Sequence, residues 1–126
     1  MPFFAMAQSG EVKSIVSKTG DRYKGNVANG KPSGRGKTTY KNGDVYEGEF
    51  VKGKRQGEGT YTFSDGEKYT GQWFQDQQHG KGVFTFKNGN VYDGLWYKDY
   101  QQGRGIMRYY NGDVYNGEWV MDKRSG

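Results

Sequence analysis

Asn42-Gly43-Asp44-Val45-Tyr46-Glu47-Gly48-Glu49-Phe50-Val51 is followed, after Lys52-Gly53-Lys54-Arg55-Gln56, by Gly57-Glu58-Gly59-Thr60-Tyr61-Thr62-Phe63. Apolar and small positions recur every second residue. Tyr46, Gly48 and Phe50 alternate with Glu47, Glu49 and Val51, and Gly59, Tyr61 and Phe63 alternate with Thr60 and Thr62. A period of two is that of a strand with one aromatic and one polar face. The short signal Asn42-Gly43 favours a tight hairpin turn, and the basic stretch from Lys52 to Gln56 reads as a longer turn. If the aromatic residues share a face, Tyr40 and Tyr46 must point the same way. A two-residue Asn42-Gly43 loop would put them on opposite faces. The spacing therefore predicts an odd-length loop, a type I turn with Gly43 in a left-handed bulge position.

The same stretch recurs along the chain. Tyr23, Tyr46, Tyr69, Tyr92 and Tyr115 stand 23 residues apart, as do Gly25, Gly48, Gly71, Gly94 and Gly117. Val27, Phe50, Trp73, Trp96 and Trp119 keep the step, and so do Tyr40, Phe63, Phe86 and Tyr109. Each unit reads as one β-hairpin. The expected fold is all-β: an antiparallel meander of tandem hairpins forming one elongated, twisted single-layer sheet of about ten strands. Those strands are placed at 12–17, 21–27, 36–41, 44–51, 59–63, 67–74, 82–87, 90–97, 105–110 and 113–120. Residues 11–126 form one repeat domain. It holds a degenerate half repeat at 11–19, units from 20, 43, 66 and 89, and a last half unit at 112–120. Trp119 then falls on an edge with no following partner, which suggests a longer array or sheet extension through a second copy.

Composition agrees with an open sheet. Glycine contributes 22 of 126 residues, there is a single leucine, and aromatic residues make up 17%. No glycine-free run exceeds nine residues, which leaves little room for helices. No apolar run approaches the roughly 20 residues that span a bilayer. With no cysteine and one histidine, His79 in a turn, neither a disulfide scaffold nor a zinc site is expected. No cofactor is expected either. Gly36-Lys37-Thr38 does not make a phosphate loop, because Gly30 is one residue too far and a strand follows. Glu47, Glu49 and Glu118 share an open polar face where nothing excludes water, so a glycosidase pair is not supported.

The units resemble the MORN repeat (membrane occupation and recognition nexus) over residues 20–119. The likeness is carried by Asn42 to Phe50, by Gln78-His79-Gly80-Lys81-Gly82, and by the pattern YxGxW…GxG…NGxxY in tandem register. It implies an all-β array with a non-catalytic role as a scaffold, dimerisation or targeting module. Some members are associated with phospholipids or the cytoskeleton, and some hold peptides or helices in a groove. The first unit departs from the pattern, with Val27 in place of tryptophan and Pro32-Ser33 before Gly34, so its share in any groove is doubtful.

Two functional expectations follow. In the first, a concave aromatic trough binds a peptide or helical segment of a partner protein through Tyr69, Trp73, Phe86, Tyr92, Trp96 and Tyr109. In the second, the rim of longer turns attaches the chain to an anionic membrane. The segments 29–37, 52–60, 75–83 and 98–106 hold nine basic residues against three acidic, and the rim residues are Lys52, Lys54, Arg55, Lys81, Lys98 and Arg104. The opposite rim is neutral. A choline-binding repeat would need denser aromatic cages, and nucleic acid is disfavoured as a partner despite the net charge of +5. Ala5-Met6-Ala7 resembles the end of an export signal but lacks a basic start and a full apolar stretch, so residues 1–10 read rather as a tail or expression remnant. The expected location is the cytoplasm or a membrane periphery, or outside the cell if residues 1–7 end a signal peptide.

Overall fold

The computed structural model describes residues 11–125, so the expectation for residues 1–7 lies outside the described part. Eleven strands follow one another in chain order. They are β1 (Glu11–Val16), β2 (Arg22–Ala28), β3 (Lys31–Thr39), β4 (Val45–Val51), β5 (Lys54–Thr62), β6 (Lys68–Phe74), β7 (Gln77–Thr85), β8 (Val91–Tyr97), β9 (Tyr100–Arg108), β10 (Val114–Val120) and β11 (Lys123–Arg124). Each pairs antiparallel with the next in one open sheet of order β1 to β11, the meander of hairpins that the periodicity predicts.

The short turns have the odd length that the aromatic face demands. Thr38 pairs with Tyr46 and Thr39 with Val45. The Tyr40 amide donates to the Asp44 carbonyl (2.8 Å), and the Gly43 amide donates to the Tyr40 carbonyl (2.9 Å). Residues 41–43 are thus a type I turn closed by Gly43 at φ 98°, a conformation only glycine adopts without cost. Tyr40 and Tyr46 consequently lie on one face.

The longer basic turns are a correction. They are not loops: β5 starts at Lys54, five residues before the expected position, and Val51 pairs with Lys54 across the two-residue turn Lys52-Gly53. Both turn residues have positive φ, 50° and 84°, so this is a type I′ turn. The apolar alternation was lost there because the register slips. Phe50 pairs with Arg55 but Gly48 with Gly59, leaving Glu49 opposite Gln56, Gly57 and Glu58. Gly57 absorbs the extra length at φ 90°. The tail is a second correction. After the turn at Met121-Asp122, β11 pairs Arg124 with Trp119, so Trp119 is covered rather than left on a bare edge.

The core is one-sided and built on a single device. Tyr46, Tyr69 and Tyr92 have no solvent exposure. The Tyr46 ring lies flat over the backbone of Gly48 and Gly59, where a Cβ would overlap the ring or the facing strand. Its hydroxyl donates to the Glu49 carbonyl at 2.8 Å. Tyr69 does the same over Gly71 and Gly82, donating to the Gln72 carbonyl at 2.7 Å. The missing side chains therefore make room for rings that bury the backbone of a one-layer sheet. The opposite face is not wholly polar. His79 lies tilted between Phe74 (5.9 Å) and Tyr97 (5.4 Å), both about half exposed, in a stripe that the repeat pattern assigns to the polar side.

Candidate site: an aromatic groove along the array

Each buried tyrosine is clamped edge-on between one ring of its own strand and one from the next hairpin. Tyr46 meets Phe50 at 5.0 Å and Trp73 at 5.4 Å, and Tyr69 meets Trp73 at 5.2 Å and Trp96 at 5.4 Å. Tyr92 meets Trp96 at 5.3 Å and Trp119 at 5.2 Å. Such T-shaped pairs each contribute about 0.5–1.5 kcal/mol beyond burial. The indole N–H groups are consumed within the sheet, Trp73 donating to the Gly59 carbonyl (3.2 Å) and Trp96 to that of Gly82 (3.1 Å). A second row of rings runs beside this zipper: Tyr61 to Phe63 (4.7 Å), Phe63 to Phe84 (5.7 Å) and Phe84 to Phe86 (4.6 Å).

Between the two rows lies an open groove of about 930 Å³ that crosses the hairpins from β5 to β11. Trp73, Phe84, Phe86, Trp96, Met107 and Tyr109 form its apolar floor. Of the residues expected there, Trp73, Phe86, Trp96 and Tyr109 line it. Tyr69 and Tyr92 do not: they lie fully buried beneath the indoles and can support an occupant only indirectly.

The predicted basic rim is divided by the true strand ends. Lys52, Lys54 and Lys98 sit at the two-residue turns, and Lys98 Nζ lies 5.3 Å from the Tyr97 ring centre. Arg55 turns inward instead. It stacks over Trp73 (4.8 Å) and Tyr61 (5.2 Å) and pairs with Asp76 at 3.1 Å, capping one end of the groove. Lys81 and Arg104 stand on the opposite face, Arg104 beside Glu118 at 3.3 Å. The turn tips 29–31, 52–54, 75–77, 98–100 and 121–123 therefore carry five lysines against three aspartates, far short of the nine-to-three surplus expected of longer loops.

Sequence reasoning missed the groove's polar wall. Asp76, Asp99 and Asp122 occupy the second position of successive two-residue turns, and each docks on the preceding hairpin. The Asp99 amide donates to the Gln78 carbonyl (3.0 Å), and the Gln78 amide donates to Asp99 Oδ1 (2.8 Å). Asp122 holds Gln101 in the same way, at 2.9 and 2.7 Å. Gln78 and Gln101 lie beside the tryptophans on the groove floor, 6% and 4% exposed. The signal was present as a 23-residue series of its own, but these polar positions fell inside the supposed loops.

The other rim has a matching lock. Asp44, one residue after the turn glycine, accepts from the Ser64 amide (2.8 Å) and the Tyr61 hydroxyl (2.7 Å) of the next hairpin. Burial works against its charge, but the hydrogen bonds from Tyr61, Ser64 and Asn42 outweigh it and hold the carboxyl below its ordinary range. Burial pushes the hydroxyls of Tyr46, Tyr61 and Tyr69 well up, and that of Tyr92 to about 12; for Tyr61 the hydrogen bond to Asp44 adds to the effect.

A one-layer sheet of repeated hairpins, closed on one side by a ring zipper and open above it, defines a β-repeat scaffold with a longitudinal groove. The family model described as MORN repeat matches residues 23–45, 46–68, 69–91, 92–114 and 115–126, and the chain belongs to that family. No curated protein matches the chain. Among solved structures it is similar to the SAS-4 (dCPAP) TCP domain of Drosophila melanogaster, described in complex with a proline-rich motif of Ana2 (dSTIL). The identity is 17%, the match covers 85% of this chain and 72% of that one, and the TM-score is 0.32.

Proposed function

We propose that this chain is a non-catalytic scaffold module whose aromatic groove receives a peptide or helical segment of a partner protein. The observation that carries the reading is the continuous apolar floor from Trp73 to Tyr109, open along its length on a face that no second layer covers among the described residues. The volume of about 930 Å³ falls in the range of recognition sites for compact ligands, here drawn out along a line. The groove's carboxylates already serve the fold: Asp76, Asp99 and Asp122 each accept a backbone amide of the neighbouring hairpin. The basic rim is the weaker candidate, since Arg55 is folded into the groove and Arg104 is paired.

Panning the whole chain against a random peptide library displayed on phage tests this reading. Clones should be enriched on the wild-type chain and lost on Phe86→Glu, which places a charge on the half-buried floor. Lys54→Glu, at a turn tip, should retain them, with circular dichroism confirming that both variants keep the sheet. Absence of enrichment, or equal retention by both variants, would defeat the proposal.

A further inference from the structure

We propose that the groove holds its occupant as an extended main chain in the polyproline II conformation, lying along the array and rich in proline and basic residues. Its main-chain groups meet the carboxamides of Gln78 and Gln101. The inference rests on the groove being a peptide site and specifies what kind of segment that site reads.

Gln78 and Gln101 are more than nine-tenths buried, yet neither carboxamide hydrogen-bonds within the described residues; Asp99 and Asp122 engage only their backbone amides and carbonyls. No buried side-chain nitrogen or oxygen is left without a partner among the described residues, so both carboxamides keep access to the groove. A helix laid over them would offer a backbone already bonded within itself and would strand two polar groups. A polyproline II segment has no internal hydrogen bonds and presents free carbonyls.

The spacing agrees. Gln78 and Gln101 hold equivalent places in successive hairpins, two strands apart, which is about 9.6 Å across a sheet. One polyproline II turn of three residues rises about 9.3 Å, whereas a helical heptad rises about 10.5 Å. An extended β-strand reaches a similar distance in three residues but turns its third side chain to the other side. Charge supplies the last element. Asp99 and Asp122 lie along the groove between Arg55 and Arg124, and neither is in an ion pair among the described residues, whereas Asp76 is paired with Arg55. A basic side chain of the occupant finds a carboxylate there.

The enriched phage clones, resynthesised as peptides and titrated against the full chain by tryptophan fluorescence, decide the matter. Expected are prolines or apolar residues at three-residue intervals with lysine or arginine between them. Gln78→Leu and Gln101→Leu should each weaken binding roughly tenfold without lowering the thermal unfolding midpoint, since neither carboxamide serves the fold. Asp99→Asn keeps an acceptor for the Gln78 amide and should lose several-fold in affinity with a flatter salt dependence. Peptides with apolar residues at i, i+3, i+4 and i+7 that become helical on binding would overturn the inference while leaving the peptide groove intact. So would unchanged affinity in both glutamine variants, or a lowered midpoint that assigns them to the fold. A library that yields no clones would overturn both.

Discussion

At Gly59 a Cβ would fall inside the ring and hydroxyl of Tyr46, which full burial and the bond to the Glu49 carbonyl hold in place. Gly59→Ala should therefore destabilise the chain by about 2–3 kcal/mol in urea unfolding, the cost of overpacking a fixed ring. Gly66→Ala meets open space and costs only the strain of φ 99°, about 1 kcal/mol. The buried tyrosines give the residue scale an alkaline signature. Their folded hydroxyls ionise above the ordinary value of 10.0, Tyr92 near 12, so the stability they contribute is intact below pH 10 and drains away as pH rises through the raised values. An absorbance titration should show the buried tyrosines ionising late and together with loss of the sheet. Early, non-cooperative ionisation of all tyrosines would contradict this burial.

At the scale of the hairpin, the two rims are locked differently. Asp44 ties one short turn to the next through Ser64 and Tyr61, and its depressed carboxyl stabilises the fold at any pH above its ordinary value near 3.8. That contribution is lost as pH falls below 3.8 towards the folded value, because the unfolded chain takes up the proton first. Asp44→Asn keeps a carbonyl acceptor but not the charge, and should flatten the acid limb of stability against pH. The two-residue turns carry strain instead. Gln75 sits at φ 48°, where asparagine is more at ease, so Gln75→Asn should raise stability by roughly 0.5–1 kcal/mol. The hairpins were legible because period two and Asn-Gly are local signals. The true starts of β3, β5, β7 and β9 were not, because the slip at Gly34, Gly57, Gly80 and Gly103 breaks the alternation that a strand reading depends on.

Across the described residues each strand makes its main contacts with the strands next to it in the sheet, so stability should behave as a sum of unit and interface contributions. The ring zipper runs out at the amino-terminal end, where β1 offers only the half-buried Ile15 to Tyr23's side of the sheet. Native-state hydrogen exchange should find β1 opening first and β4 to β9 most protected; uniform protection would mean that the array unfolds as one unit. The groove belongs to this scale too. Trp73, Phe86, Trp96 and Tyr109 could be selected as groove residues from the repeat, but the same repeat selected Tyr69 and Tyr92, which lie underneath.

The 23-residue spacing was sufficient by itself for the meander, the shared aromatic face and the odd-length turn at Gly43, because each follows from strand periodicity and local backbone sterics. Folding decided which rings stay accessible, that Arg55 caps the groove rather than the rim, and that Gln78 and Gln101 line its floor. Those outcomes depend on contacts between hairpins one repeat apart, where a two-residue register slip redirects side chains, and no local pattern in the chain encodes that distance.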